Sequence, residues 1–192
     1  MDLRVLIIDS SLERAAILEQ ALSDANYAVV GRFTSSAGLP ARVTELQPDI
    51  IIIDIESPDR DTLENMRHIT RDNPKPIVVF AERGDSEIIQ SAIRAGVSAY
   101  VVDGLSRHRV KPVMDVAIAR FREFQALQSE LAEVKTKLAD RTYVDKAKGL
   151  LIEKYQMTEE QAYAALRKMA MNRNQRIAEA ARNVIAMMEM LS

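Results

Sequence analysis

The chain has 192 residues, 47% hydrophobic and 28% charged, with 26 Lys and Arg against 28 Asp and Glu and a formal net charge of −2. This suffices for one medium domain and one small one; the composition is that of an ordinary globular protein, and the charge carries no overall nucleic-acid signature. With no Cys, disulfide and thiolate chemistry are excluded and a reducing cytoplasm is the expected location; no apolar run approaches the roughly 20 residues of a membrane helix, and Met1-Asp2-Leu3-Arg4 enters an apolar strand without a signal-peptide pattern.

In the first part of the chain, short runs rich in β-branched residues alternate with helical patterns. The runs are Leu3–Ile8, Ala28–Phe33, Ile50–Ile53, Ile77–Phe80 and Ala99–Val102, and the predicted helices are Leu12–Leu22, Pro40–Leu46, Thr62–Thr70, Glu87–Ala95 and a stretch from Val110 onward. Ser10 and Glu13 have the spacing of a capping box, Pro40 suits a first helical turn, and Gly96 suits a helix C-terminus. Continuous apolar strands separated by helices indicate a parallel sheet covered on both faces. Five such units predict a doubly wound α/β domain of the flavodoxin-like type over residues 1–120.

From Val110 the pattern becomes helical throughout. Phe124, Leu127, Leu131, Val134 and Leu138 step by three, four, three and four, a 3.5-residue period that makes a coiled-coil seam over residues 121–142. A seam of about two heptads pairs weakly alone. The reading favours a homodimer, with packing onto the same chain as the alternative. Residues 143–192 predict a three-helix bundle. Helix continues to Glu153, Thr158 and Gln161 form a capping box for a helix to about Met171, and Asn172 or Asn174 caps a last helix from about Gln175 to Leu191. Ala162, Ala165, Leu166 and Met169, then Ile177, Ala181, Val184, Ile185 and Met188, repeat at helical spacing and mark a small core rich in Ala and Met. Net charge runs −4 over residues 1–120 (14 Lys and Arg, 18 Asp and Glu), 0 over 121–142 (4 and 4) and +2 over 143–192 (8 and 6).

At the strand ends the α/β part carries Asp9-Ser10, Asp54 with Pro58 four residues on, Ala81 after Ile77–Phe80, and Asp103 after Val101-Val102. In these positions it resembles a response-regulator receiver. That resemblance implies a phospho-acceptor at Asp54, an acidic metal-binding pair beginning at Asp9, a switch hydroxyl at the Ala81 position and a Lys at the Asp103 position. Phosphoryl transfer uses carboxylates to hold Mg²⁺, which neutralises charge on the transferred group. Here Ser10 supplies no carboxylate, Ala81 no hydroxyl, and Asp103 reverses the Lys charge. Asp9, Asp54 and Asp103 are expected to form an acidic pocket with no cation from the chain, where like carboxylates raise one another's pKa and a dianion is unwelcome. The expectation is a degenerate receiver in which Asp54 goes unphosphorylated. No cofactor is implied, and His68 and His108 make no metal-ligand pattern.

The tail contains Ala147-Lys148-Gly149 with Leu150-Leu151, Thr158-Glu159-Glu160-Gln161-Ala162, Leu166-Arg167, Ala170-Met171, and Ile177-Ala178-Glu179-Ala180-Ala181 with Val184-Ile185. This stretch resembles an ANTAR domain, the RNA-binding module of bacterial antitermination regulators. The order of degenerate receiver, coiled helix and ANTAR resembles the antiterminators of the AmiR and NasT type. Val101-Val102-Asp103-Gly104-Leu105-Ser106 and Asp115–Phe121 are most similar to the nitrate-assimilation members. The resemblance implies a dimer that binds paired leader-mRNA hairpins with six-nucleotide loops, sequestered by a nitrate- or nitrite-sensing protein. Candidate RNA contacts are Lys146, Lys148, Arg167, Lys168, Arg173 and Arg176. Gly149, costly in a helix by about 1 kcal/mol, marks a close approach by RNA or by a packing helix. Tyr143, Tyr155 and Tyr163 suit base stacking but, at helical spacing, are expected in the core. The competing readings are the same output controlled by phosphorylation of Asp54, and a DNA-binding bundle, which lacks a recognisable helix-turn-helix turn. An enzyme finds no nucleophile–base pair or Gly-rich phosphate loop.

Overall fold

Strands form where β-branched runs meet no polar break, and helices begin where a side chain can cap them. The computed structural model describes residues 3–102 and 106–190, and Asp103 lies outside the described residues. The chain divides into two compact units, Met1–Gln125 and Ala126–Ser192.

The first unit alternates β1 (Leu3–Asp9), α1 (Leu12–Asp24), β2 (Tyr27–Phe33), α2 (Leu39–Leu46), β3 (Ile50–Ile55), α3 (Arg60–Asp72), β4 (Ile77–Ala81), α4 (Ser86–Arg94) and β5 (Ala99–Val102), and then enters α5 (Arg107–Tyr155). All strand pairs are parallel, in the order β2-β1-β3-β4-β5. This is the predicted five-stranded flavodoxin-like sheet, with its switch point between β1 and β3. Alternate residues serve opposite faces. Val5, Ile7, Ile50, Ile52, Val78 and Phe80 pack against Leu18 and Leu22 of α1 and Val110, Met114 and Ala117 of α5. Leu6, Ile8, Ile51, Ile53, Ile77 and Val79 pack against Leu39 and Val43 of α2, Met66 and Ile69 of α3 and Ala92 of α4.

The caps differ from expectation at two places. The N-cap of α1 is Ser11, not Ser10, and its side chain accepts the Arg14 N–H at 3.4 Å. Gly96 behaves as expected: its φ of +91° ends α4, and Val97 N–H bonds back to the Ala92 carbonyl at 3.2 Å.

The second unit is built from α5 beyond Gln125, α6 (Glu159–Asn172) and α7 (Ile177–Glu189). Ala147, Leu151, Ala162, Leu166, Ala181, Val184, Ile185 and Met188 form its core. The alanines bring the three helices close, and Leu and Met fill the space left. The capping box of Thr158 and Gln161 opens α6 as predicted. Neither Asn172 nor Asn174 caps α7; Arg176 holds that place, and its N–H donates to the Glu179 carboxylate at 3.2 Å. Asn174 instead adopts φ +49° beyond α6, and Gln175 N–H reaches the Ala170 carbonyl at 3.0 Å. Asn tolerates that left-handed turn, which explains why it stands there. No described helix is long and apolar enough to cross a membrane.

Candidate functional site

The parallel register places Asp9 beside Asp54 at the carboxyl ends of β1 and β3, the crevice where such sheets bind ligands. Both carboxylates continue the alternation that faces α1 and α5, so both are buried. Asp9 Oδ1 accepts the Ser11 N–H at 2.7 Å, while Asp9 Oδ2 and Asp54 Oδ2 have no hydrogen-bond partner among the described residues.

The sequence-based expectation of a pocket without a cation is overturned. Arg14, in the first turn of α1, brings its Nε to 3.5 Å from Asp54 Oδ2, and its Nη1 pairs with Glu82 just after β4. Because α1 is capped at Ser11, its first turn lies directly over the strand ends, and Arg14 faces inward. Burial lowers the Arg14 pKa, but Asp54, Glu82 and Asp9 outweigh it and raise it overall. Burial is also the largest influence on Asp54. It pushes the carboxyl up to about 6, Arg14 pulling down and Asp9 and Glu82 adding to the rise. Sequence reasoning missed Arg14 and Glu82. The available signal was their spacing, five residues beyond Asp9 and one beyond Ala81.

A divalent ion does not fit this pocket as the receiver family would use it. Ser10 is exposed and offers no carboxylate, and Arg14 already lies on Asp54. The Glu56 backbone carbonyl accepts the Arg83 N–H at 3.2 Å. Among the described residues no cluster of three or more His, Asp or Glu is arranged to hold a metal.

The seam residues are all exposed: Phe124 52%, Leu127 58%, Leu131 47%, Val134 54% and Leu138 66%. In the helical unit, Lys146 pairs with Glu189 at 2.8 Å, and Lys148 lies between Asp145 and Glu159 at 2.9 and 2.8 Å. Arg176 pairs with Asp140 at 3.2 Å. Arg167, Lys168 and Arg173 are exposed and make no ion pair among the described residues. Gly149 is exposed, and a Cβ built there meets nothing within 4 Å, so no helix among the described residues packs on it. Tyr143, Tyr155 and Tyr163 are not core residues; they are 39%, 55% and 47% exposed.

A five-stranded parallel sheet with paired aspartates at its switch point, followed by a helical output unit, defines a signalling receiver joined to an effector. Residues 5–113 match the response regulator receiver domain and residues 132–185 the ANTAR domain. The chain belongs to the response regulators, with an ANTAR RNA-binding antitermination module as its output. It is 33% identical over 183 residues to the transcriptional regulatory protein PdtaR of Mycobacterium tuberculosis, covering 92% of this chain and 87% of that one. It is 39% identical over 83 residues to the nitrate regulatory protein of Klebsiella oxytoca, which is 43% of this chain and 21% of that protein. In fold alone, it matches the signal receiver domain of a modulated diguanylate cyclase from Desulfovibrio desulfuricans with a TM-score of 0.56 and 24% identity, over 64% of this chain and 98% of that one.

Proposed function

We propose that this protein is a transcription antiterminator whose receiver works without phosphorylation. Two chains pair along Phe124, Leu127, Leu131, Val134 and Leu138 and present two RNA-binding units. Each unit takes one hairpin with a six-nucleotide loop in a leader mRNA, and occupancy of the pair prevents the terminator from forming. Linking two weak sites raises affinity through effective concentration. The genes served are those of nitrate or nitrite assimilation, as the similarity to a nitrate regulatory protein suggests. A nitrate- or nitrite-sensing protein sequesters the chain until the anion arrives, in the manner of the NasT and AmiR type.

The observation that carries this reading is Arg14 on Asp54. The acceptor carboxylate already has its counter-ion, supplied by the fold rather than by a metal. Ala81 also has no hydroxyl with which to report a phosphoryl group. Phosphorylation control is the second reading, favoured by the burial of Asp9 and Asp54 side by side. The test is binding of the purified chain to a two-hairpin leader RNA with six-nucleotide loops, beside a loop-scrambled control, without a phosphodonor. Loop-dependent binding is expected. Binding that needs a small phosphodonor and Mg²⁺, and that is lost in Asp54→Asn, would establish the second reading instead.

A further inference from the structure

Residues 126–139 of α5 are all exposed. Lys137 pairs with Glu133 and the Thr136 hydroxyl donates to the Ala132 carbonyl at 2.9 Å, so these side chains bond within their own helix. A helix of that length is marginal in water when nothing packs on it. Its seam residues Leu127, Leu131, Val134 and Leu138 stay open to solvent in the single chain.

Asp140, two residues beyond Leu138, is only 20% exposed. Its Oδ2 accepts from Arg176 Nη1 at 3.2 Å and its Oδ1 from Arg182 Nη2 at 2.9 Å. One carboxylate therefore holds the N-cap residue of α7 and a second arginine more than a turn further along that helix. The Arg182 guanidinium also lies over the Tyr143 ring of α5, 4.6 Å from its centroid. Asp140 and Tyr143 both precede Ala147, the first buried α5 residue of the apolar core. The start of α7 is thus fastened to the part of α5 that runs out of the seam. The N–H groups of Glu179 and Ala180 bond to the Arg176 carbonyl at 3.0 and 3.2 Å, so the first turn of α7 hangs on the residue that Asp140 holds. Two residues turn a helix by about 200°. Leu138 and Asp140 consequently face opposite ways, and a second chain on the seam does not cover the fastening.

We propose that Asp140 couples pairing along the seam to the order of α7. A second chain on the seam holds α5 helical through Asp140, and the carboxylate then fixes Arg176 and Arg182. In a single chain α5 opens more often across residues 126–140, and each opening releases the start of α7. Keeping the chains apart therefore loosens the output unit as well as separating it from its twin. The inference rests on the reading that two chains pair along the seam and adds how that pairing reaches α7.

Hydrogen exchange on the full chain tests the coupling, with sedimentation on the same samples. The Glu179 and Ala180 amides report on α7. The Ala162 amide, bonded to the Thr158 carbonyl at 2.9 Å, reports on the start of α6 and is the folding control. Leu131→Asp separates the chains, and Asp140→Ala leaves the seam intact. Each is expected to speed exchange at Glu179 and Ala180 about fivefold, roughly the loss of one exposed ion pair. Ala162 keeps its wild-type rate in both. The two substitutions together exchange no faster than Asp140→Ala alone, because they act through one contact. Arg182→Gln reproduces the effect without altering α5. Wild-type rates at Glu179 and Ala180 in a monomeric Leu131→Asp, or additive effects in the double variant, overturn the coupling. Wild-type rates in both Asp140→Ala and Arg182→Gln, or an equal rise at Ala162, overturn the role of Asp140. A wild-type chain that sediments as a monomer overturns the pairing reading itself, and the coupling with it.

Discussion

Replacing Asp54 with Asn isolates the energetic cost of the buried carboxylate. Asn has nearly the same shape and mimics the protonated acid, so the packing around Arg14 and Asp9 is kept while the charge that faces them is removed. The Asp54 pKa is raised from 3.8 to about 6. At about 1.4 kcal/mol per unit, a rise of roughly two units disfavours the ionised form by on the order of 3 kcal/mol. The native state therefore binds the proton more tightly than the unfolded chain. Between about pH 4 and pH 6 it holds more protons, so stability falls as pH rises. Below that window both states are protonated, and above it the penalty is constant. Asp54→Asn is expected to match wild type near pH 4 and to exceed it by up to about 3 kcal/mol at pH 7. Urea denaturation at constant ionic strength, followed by circular dichroism from pH 4 to pH 7, measures the difference as a shift in midpoint. A variant less stable than wild type at pH 7, with a gap that closes toward pH 4, would refute the reasoning. Attraction to Arg14 would then outweigh burial, and the native carboxyl would titrate below its ordinary value.

Gly149→Ala adds a Cβ that meets nothing within 4 Å, so thermal denaturation should show a gain of about 1 kcal/mol from helix propensity alone; destabilisation would mean that a group packs there. Leu131→Asp puts a charge in the middle of the exposed seam, and sedimentation at micromolar concentration should find a monomer. A persistent dimer would remove the seam as the pairing surface. Gly96→Ala combines a φ of +91° with a Cβ driven into Thr70, whose single hydroxyl proton is shared between the Met66 and Ala95 carbonyls at 2.9 and 3.1 Å. It should cost about 1–3 kcal/mol from backbone strain before the clash is counted, and an unchanged melting midpoint would contradict that.

Much of the candidate site was legible before any coordinates. Asp9 and Asp54 end apolar runs of the same parity, and that parity sends both side chains to one face of the sheet. Arg14 was not legible as their partner. Its reach depends on where α1 begins, and the cap falls at Ser11 rather than Ser10. One residue of shift rotates a helix by about 100°, enough to decide whether Arg14 faces solvent or Asp54. The basic residues of the tail were equally ambiguous. Lys146, Lys148, Arg167, Lys168, Arg173 and Arg176 look alike in sequence. Only packing separates Lys148, set between two carboxylates from different helices, from Arg167 and Lys168, which meet none among the described residues.

The sequence alone determined the order of strands and helices, the 3.5-residue seam and the core of the helical unit, because these follow from local periodicity and capping. Tertiary structure decided which charges meet. Ion pairs such as Arg14 with Asp54 and Glu82, or Arg176 with Asp140, join residues 36 to 68 positions apart. Those distances are bridged by the packing of helix on sheet and helix on helix, to which periodicity along the chain is blind.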